Sequence, residues 1–184
     1  MKLVVFDRIA ECTEAEVQRL LPQVSPQRRE QALRYRHTFG QFCCLKSWLM
    51  LAELVGEMPD WQYNEHGKPY IADGPYFSIS HCKQAVAVAV ADRPIGIDVE
   101  NIRHAEAYLI TRTMNAAEQK QIAEAEDQDR AFTSLWTRKE AVVKAQGVGI
   151  ESFEQLQRIR NQESEFRIET IEKEKYIYSI AYKQ

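Results

Sequence analysis

Asp98 and Glu100 stand two residues apart in the run Ile95-Gly96-Ile97-Asp98-Val99-Glu100. On an extended strand, residues two apart share a face, so both carboxylates point one way while Ile97 and Val99 point into a core. Two unit charges about 4 Å apart repel by roughly 4 kcal/mol at an effective dielectric of 20. A cation between them reverses the sign of that term. Hard divalent ions such as magnesium take carboxylate oxygens together with substrate phosphates and water. Paired acids at a strand end are also often simply solvated, and on this cluster alone both readings stand.

A second cluster lies in Phe132-Thr133-Ser134-Leu135-Trp136-Thr137-Arg138-Lys139-Glu140-Ala141-Val142-Val143-Lys144. At about 100° per residue, Phe132, Leu135, Trp136 and Val143 form one apolar stripe. Glu140 and Lys144 flank it one turn apart, a spacing that serves a site or an ordinary surface ion pair of a few tenths of a kcal/mol. Lys139 falls inside the stripe, where a lysine is costly unless it is paired or snorkels to water. The third cluster is Phe77-Ser78-Ile79-Ser80-His81, preceded by Gly67-Lys68-Pro69. Alternation sends Phe77 and Ile79 to one side and the two serines to the other, with His81 at the strand end. No G-x-S-x-G elbow surrounds the serines, so hydrolase chemistry has little support.

These residues need elements to hold them. Lys2 to Phe6 reads as a short strand, and Thr13-x-x-Glu16 as a capping box opening a helix that Pro22 closes. Ser25-Pro26 supplies an N-cap and an N1 proline for a second helix. A third runs to about Glu57, with Leu45, Trp48, Leu49 and Ala52 at helical spacing. Asn64 to Gly67 is a turn. Strands follow at Phe77 to Ser80, Ala85 to Ala91 and Ile95 to Glu100. Asn115-x-x-Glu118 opens another helix, and Arg130 to Gln146 is the longest, with Gly147 where a C′ glycine belongs. Strands near Phe166 to Ile171 and Tyr176 to Tyr182 finish the chain. The order is strand, helices, strands, twice over, which predicts an α+β protein of two similar halves joined near Asp92 to Pro94.

Composition narrows the function classes. The 184 residues carry 24 basic and 27 acidic side chains, a net charge of −3, without the cationic surplus that bulk nucleic-acid binding needs. The longest apolar stretch, Ala85 to Ala91, is too short to span a bilayer, and Asp7, Arg8 and Glu11 interrupt any signal-peptide core. The expectation is a soluble cytoplasmic protein with no membrane or nucleic-acid partner. Cys12, Cys43, Cys44 and Cys82 form no C-x-x-C pair, and they read as reduced thiols.

The clusters, in this order and spacing, resemble the 4′-phosphopantetheinyl transferase superfamily. Its pattern is G-K-P, F-x-I-S-H, G-I-D-x-E, then W-x-x-K-E-A-x-x-K with a following G-x-G. Here it reads Gly67-Lys68-Pro69, Phe77 to His81, Gly96 to Glu100, and Trp136 to Gly149. The resemblance is to the single-chain, surfactin-synthetase-activating type, and it implies two α+β halves related by a pseudo-twofold within a monomer. Residues 1–92 would contact the nucleotide of coenzyme A, and residues 93–184 would carry magnesium and the catalytic groups, with the active site between them. The implied enzyme moves 4′-phosphopantetheine from coenzyme A onto a serine of an apo acyl or peptidyl carrier protein, releasing 3′,5′-ADP, as in fatty acid or secondary metabolite biosynthesis.

By the same resemblance, Asp98, Glu100 and Glu140 would hold Mg2+, and Lys144 would neutralise the pyrophosphate, with protonation of the leaving group also open to it. Glu140 would be the base, Glu100 the alternative. Lys68, Ser80 and His81 would meet the nucleotide, Gly67 and Pro69 would shape the adenine loop, and Arg28 would meet the 3′-phosphate. Phe39 to Cys43 lacks the D-x-x-R element common in the family, and Gln31 stands where a lysine is common. Arg28, Arg29, Arg34, Arg36 and Lys46 are candidates for a basic surface facing an acidic carrier. Two other readings are a non-catalytic coenzyme A-binding relative and a carrier-binding module with no small ligand.

Overall fold

The computed structural model describes residues 1–56, 60–149, 153–159 and 165–184. Strands β1 (Lys2–Phe6), β4 (Tyr76–His81) and β5 (Val86–Ala91) form an antiparallel sheet in the order β1-β5-β4. Strands β6 (Ile95–Asn101), β7 (Phe166–Glu172) and β8 (Tyr176–Lys183) form a second, in the order β6-β8-β7. Each sheet therefore reads first, third, second in chain order, and in each the helices lie between its first and second strands. The mixed α+β class expected from the sequence is what is found.

The helices of the first half are α1 (Glu14–Leu20), α2 (Pro26–Leu33) and α3 (Thr38–Val55). Thr13 Oγ1 accepts from Glu16 N at 3.1 Å, but the Glu16 carboxylate turns to Arg19 instead of closing the expected capping box. Ser25 caps α2, with Pro26 in its first turn. Gly56, at φ 96°, stops α3 in a left-handed cap, and Glu57 lies outside the described residues. The turn at Asn64 to Gly67 belongs to a short hairpin, β2 (Gln62–Tyr63) with β3 (Pro69–Tyr70). In the second half, α5 (Ala116–Glu124) opens on a complete Asn115/Glu118 capping box, and α6 (Gln128–Gln146) ends at Gly147. Helices α4 (Ala107–Thr113) and α7 (Phe153–Arg158) add to the expected set. All four cysteines are free thiols.

The alternation of valine and alanine along β5 shows how the halves join. Val86, Val88 and Val90 face a core built with Phe42, Leu45, Trp48 and Leu51 of α3. Ala85, Ala87, Ala89 and Ala91 face the other way, onto Ile95, Ile97, Val99, Tyr178 and Ile180. Period-two alternation splits one strand between two cores, and the small alanines let the second sheet come close.

The opposite face of β6 is covered by α6, and Gly96 sets how closely the two backbones approach. A Cβ at Gly96 would sit 1.9 Å from the Ala141 carbonyl oxygen and 2.4 Å from the Ala145 nitrogen. Those atoms are backbone and cannot swing aside. Gly96→Ala is therefore expected to force α6 off the sheet, at a cost of about 2 kcal/mol or more. For a chain of this length that lowers Tm by about 4 °C or more. Thermal unfolding followed by circular dichroism checks this, and an unchanged Tm would show that the seam yields freely.

Candidate active site

Gly96, Asp98 and Glu100 share the face of β6 that α6 covers, so the two acids sit beneath Glu140 and Lys144. Ile97 and Val99, on the other face, are 0% and 1% exposed. Asp98 is also buried, at 3% exposure. Its Oδ1 accepts from Lys144 Nζ at 2.6 Å and from Ser80 Oγ at 2.9 Å. Lys144 Nζ donates to Ser80 Oγ as well, at 3.0 Å. Asp98, Ser80 and Lys144 thus form a closed triangle drawn from β6, β4 and α6. The second carboxylate oxygen, Asp98 Oδ2, is buried and has no hydrogen-bond partner among the described residues.

The electrostatics carry the mark of gathered carboxylates. Burial, then the charge of Asp98, pushes Glu140 up to about 7, with Glu100 adding to the rise and Lys144 and Arg103 opposing it. Glu100 is raised for the same reasons, burial first and Asp98 second, while Arg103, Lys144 and the Trp136 indole pull it back. Acids that disfavour each other's charge in this way form a site that gains from a cation. Three carboxylates are the hard oxygen donors that magnesium takes, and the bare Asp98 Oδ2 suits that donor set. Among the described residues, no three His, Cys, Asp or Glu side chains are already drawn together at ligand spacing. The donors fit a divalent cation in kind, and binding it would draw them closer.

The hairpin of the first half reaches over to α6. Lys68 Nζ donates to the backbone carbonyls of Lys144 and Ile95, and Asn64 Nδ2 to that of Gly147 at 2.9 Å. The Lys144 and Gly147 carbonyls belong to the last turn and cap of α6, which a helix leaves without internal partners, and a cation there also suits the helix dipole. Burial lowers Lys68 to about 8. Gly67 turns the hairpin at φ 77°, a conformation that favours glycine. Lys68, Pro69 and Phe77 on one side and Glu140, Lys144 and Gly147 on the other line a cavity of about 390 Å³. That is within the usual range of small-molecule sites. A second hollow of about 330 Å³, between Tyr70, Asp73 and Tyr76, shares Lys68, Pro69 and Phe77 with the first.

The other candidates are placed as follows. Ser80 has its hydroxyl committed to Asp98, Lys144 and the Val99 amide. His81 ends β4 with its ring exposed, edge-on to Phe39 at 6.3 Å. Surrounding protein mass, then the Lys144 charge, holds its imidazole below the usual range. Arg28 is not brought to the cavity. It is 8% exposed, its Nε and Nη2 donate to the Cys44 carbonyl at 3.1 and 2.7 Å, and Nη1 reaches Gln31. Its guanidinium also lies 4.7 Å from the Trp48 ring. The neighbouring basic residues are largely engaged too: Arg29 donates to the Leu21 carbonyl, Arg34 pairs with Glu30, and Lys46 lies over Phe6.

Sequence reasoning did not single out Arg103, whose charge bears on both Glu100 and Glu140 and which lies 5.1 Å from the Trp136 ring. Its position two residues beyond the strand carrying the two acids was the available signal. The inter-sheet bonds of Ser78 and Ser80 were equally unforeseen. Two serines on one strand face mark a polar seam only once the partner strand is known.

Residues 94–183 match the family model described as the 4′-phosphopantetheinyl transferase superfamily. The chain is 30% identical over 146 residues, 73% of its length, to 4′-phosphopantetheinyl transferase psf-1 of Bacillus pumilus. It is 28% identical over 150 residues, 75% of its length, to the transferase Sfp of Bacillus subtilis. A shorter stretch of 113 residues, 55% of this chain and 58% of the relative, is 34% identical to the transferase AcpT of Salmonella typhi. The matched stretches cover 63% of psf-1 and 66% of Sfp, somewhat under two thirds of either relative. The family match begins just before β6 and takes in Asp98, Glu100, Glu140 and Lys144, and by that match and these relatives the chain belongs to the 4′-phosphopantetheinyl transferase superfamily.

Proposed function

We propose that this protein transfers the 4′-phosphopantetheine arm of coenzyme A to a serine of an apo acyl or peptidyl carrier protein, releasing 3′,5′-ADP. The observation that carries the reading is the seam of β6 and α6, where Asp98, Glu100 and Glu140 meet Lys144 beside the cavity. The names of the relatives support the same reaction. The active site would lie at the junction of residues 1–92 and 93–184, with both halves supplied by one chain acting as a monomer.

Phosphoryl transfer asks a protein mainly for positioning and charge neutralisation. Asp98, Glu100 and Glu140 would hold magnesium, which when bound supplies positive charge to the pyrophosphate of coenzyme A. Lys144 adds a second positive charge at the same place and can hand a proton to the departing 3′,5′-ADP. Glu140 takes the proton from the attacking serine hydroxyl. Glu100, raised by the same neighbours, is the alternative base. Lys68, Ser80, His81, Gly67 and Pro69 would border the nucleotide, and Arg28 would act on the 3′-phosphate only if its bonds to Cys44 opened.

The test is intact-mass spectrometry of an apo acyl carrier protein incubated with this protein, coenzyme A and magnesium, with an EDTA control. The expected result is a gain of one phosphopantetheine that EDTA abolishes. No gain across a panel of acyl and peptidyl carriers, with coenzyme A still bound, would overturn the transferase reading in favour of a binding-only relative.

A further inference from the structure

Ser78 and Ser80 make matching contributions to the seam between the two sheets. Ser78 Oγ accepts from Ile97 N at 3.0 Å, and Ser80 Oγ accepts from Val99 N at 3.2 Å. Each hydroxyl takes the place that a strand carbonyl would hold in a continuous ladder, and both residues are buried, at 4% and 7% exposure. They differ in what else they touch. Ser80 also donates to Asp98 Oδ1 and accepts from Lys144 Nζ. A hydroxyl has one donor and two acceptor positions, and at Ser80 all three are filled by the protein.

The consequence falls on Asp98. The terminal torsion of an aspartate is broad and roughly twofold, so a single partner fixes its carboxylate poorly. Two donors on one oxygen, from different elements, hold it far better. We infer that Ser80 is a positioning residue for Asp98, anchoring Oδ1 with Lys144 so that Oδ2 is the atom left to take a divalent cation. The inference rests on the reading of Asp98, Glu100 and Glu140 as a cation site, and it gives Ser80 a task distinct from touching the nucleotide. Partners that orient a ligand from behind typically govern about 10–100-fold in metal affinity.

Ser78 is the internal control, because Ser78→Ala removes an equivalent inter-sheet bond without touching Asp98. The experiment titrates Mn2+ alone, with no coenzyme A, into wild-type protein, Ser80→Ala, Ser78→Ala and Ser80→Cys. Free Mn2+ is read by electron paramagnetic resonance, and Tm is recorded for each protein. Ser80→Ala is expected to bind Mn2+ about tenfold more weakly, with Ser78→Ala within about twofold of wild type. Ser80→Ala is also expected to lose more Tm, since its bonds to Asp98 and Lys144 go with the hydroxyl. Ser80→Cys keeps a donor and acceptor at this position, both weaker, on a somewhat larger atom. It is expected to fall between wild type and alanine, and it carries the test if Ser80→Ala does not fold. Wild-type protein that binds Mn2+ while both serine variants match it, or weaken together, overturns the positioning role alone. Wild-type protein that takes up no Mn2+ overturns the cation site and this role with it.

Discussion

Glu140→Gln is expected to fold as the wild-type protein does and to keep less than about a tenth of its transfer rate, a loss of at least roughly 1.4 kcal/mol in transition-state stabilisation. Gln is nearly isosteric with Glu, so the α6 surface over β6 keeps its shape. What disappears is one carboxylate of the proposed cation set and the proposed base, and removing a positioned base alone usually costs about 10²–10⁴ in rate. The rate is read from the carrier mass gain at fixed time points. If Glu100→Gln is the crippled variant and Glu140→Gln retains most activity, the roles of the two acids are exchanged.

The same variant has a stability signature that needs no substrate. An unperturbed glutamate titrates near 4.5, and Glu140 is raised to about 7 by burial and by Asp98. Between those values the folded chain binds more protons than the unfolded one, so this group's contribution to stability declines as pH rises through the window. Gln has no such dependence. In EDTA, the stability of wild type relative to Glu140→Gln is therefore expected to fall from about pH 5 to about pH 7.5. Comparing the two proteins cancels the opposite trend from His81, whose lowered value favours the folded state as pH rises. A flat difference in chemical denaturation across that range would mean that neither burial nor Asp98 raises Glu140.

Elements with local signals were legible in the sequence, and contacts between distant elements were not. Ser25-Pro26, Asn115-x-x-Glu118 and Gly147 mark helix ends through bonds within a few residues of themselves, and all three hold. The strand carrying Asp98 and Glu100 was readable because alternation needs no partner to be seen. Helix α4 was missed because Glu106 offers no capping side chain and the helix is only seven residues long. The β2–β3 hairpin pairs two residues with two, too few for any alternation to show. The direction of Arg28 was equally hidden. A sequence shows a basic helix, but only the fold reveals that the Cys44 carbonyl lies where the guanidinium can reach it.

Lys139 is the sharpest case of a residue whose oddity was visible and whose solution was not. It sits in the apolar stripe of α6 at 2% exposure, and its ammonium meets Glu118 Oε1 at 3.0 Å and the Leu156 carbonyl at 2.6 Å. Glu118 is itself 6% exposed at its side chain, and its Oε2 accepts from Asn115 N at 2.7 Å, closing the capping box of α5. One buried pair thus fastens α5, α6 and α7 together. Lys139→Met would leave the Glu118 carboxylate buried without its cation, and breaking a buried pair on one side costs about 3–5 kcal/mol. At the usual scaling for this length, Tm is expected to drop by about 10 °C. Adding Glu118→Gln should recover more than half of that loss, since Gln removes the stranded charge and its amide oxygen can still accept from Asn115 N. The recovery separates charge burial from lost packing, because a packing defect left by the Lys139→Met change would persist in the double variant. Urea unfolding of the four proteins closes the cycle, and additive costs would mean that Lys139 and Glu118 are energetically independent despite their contact.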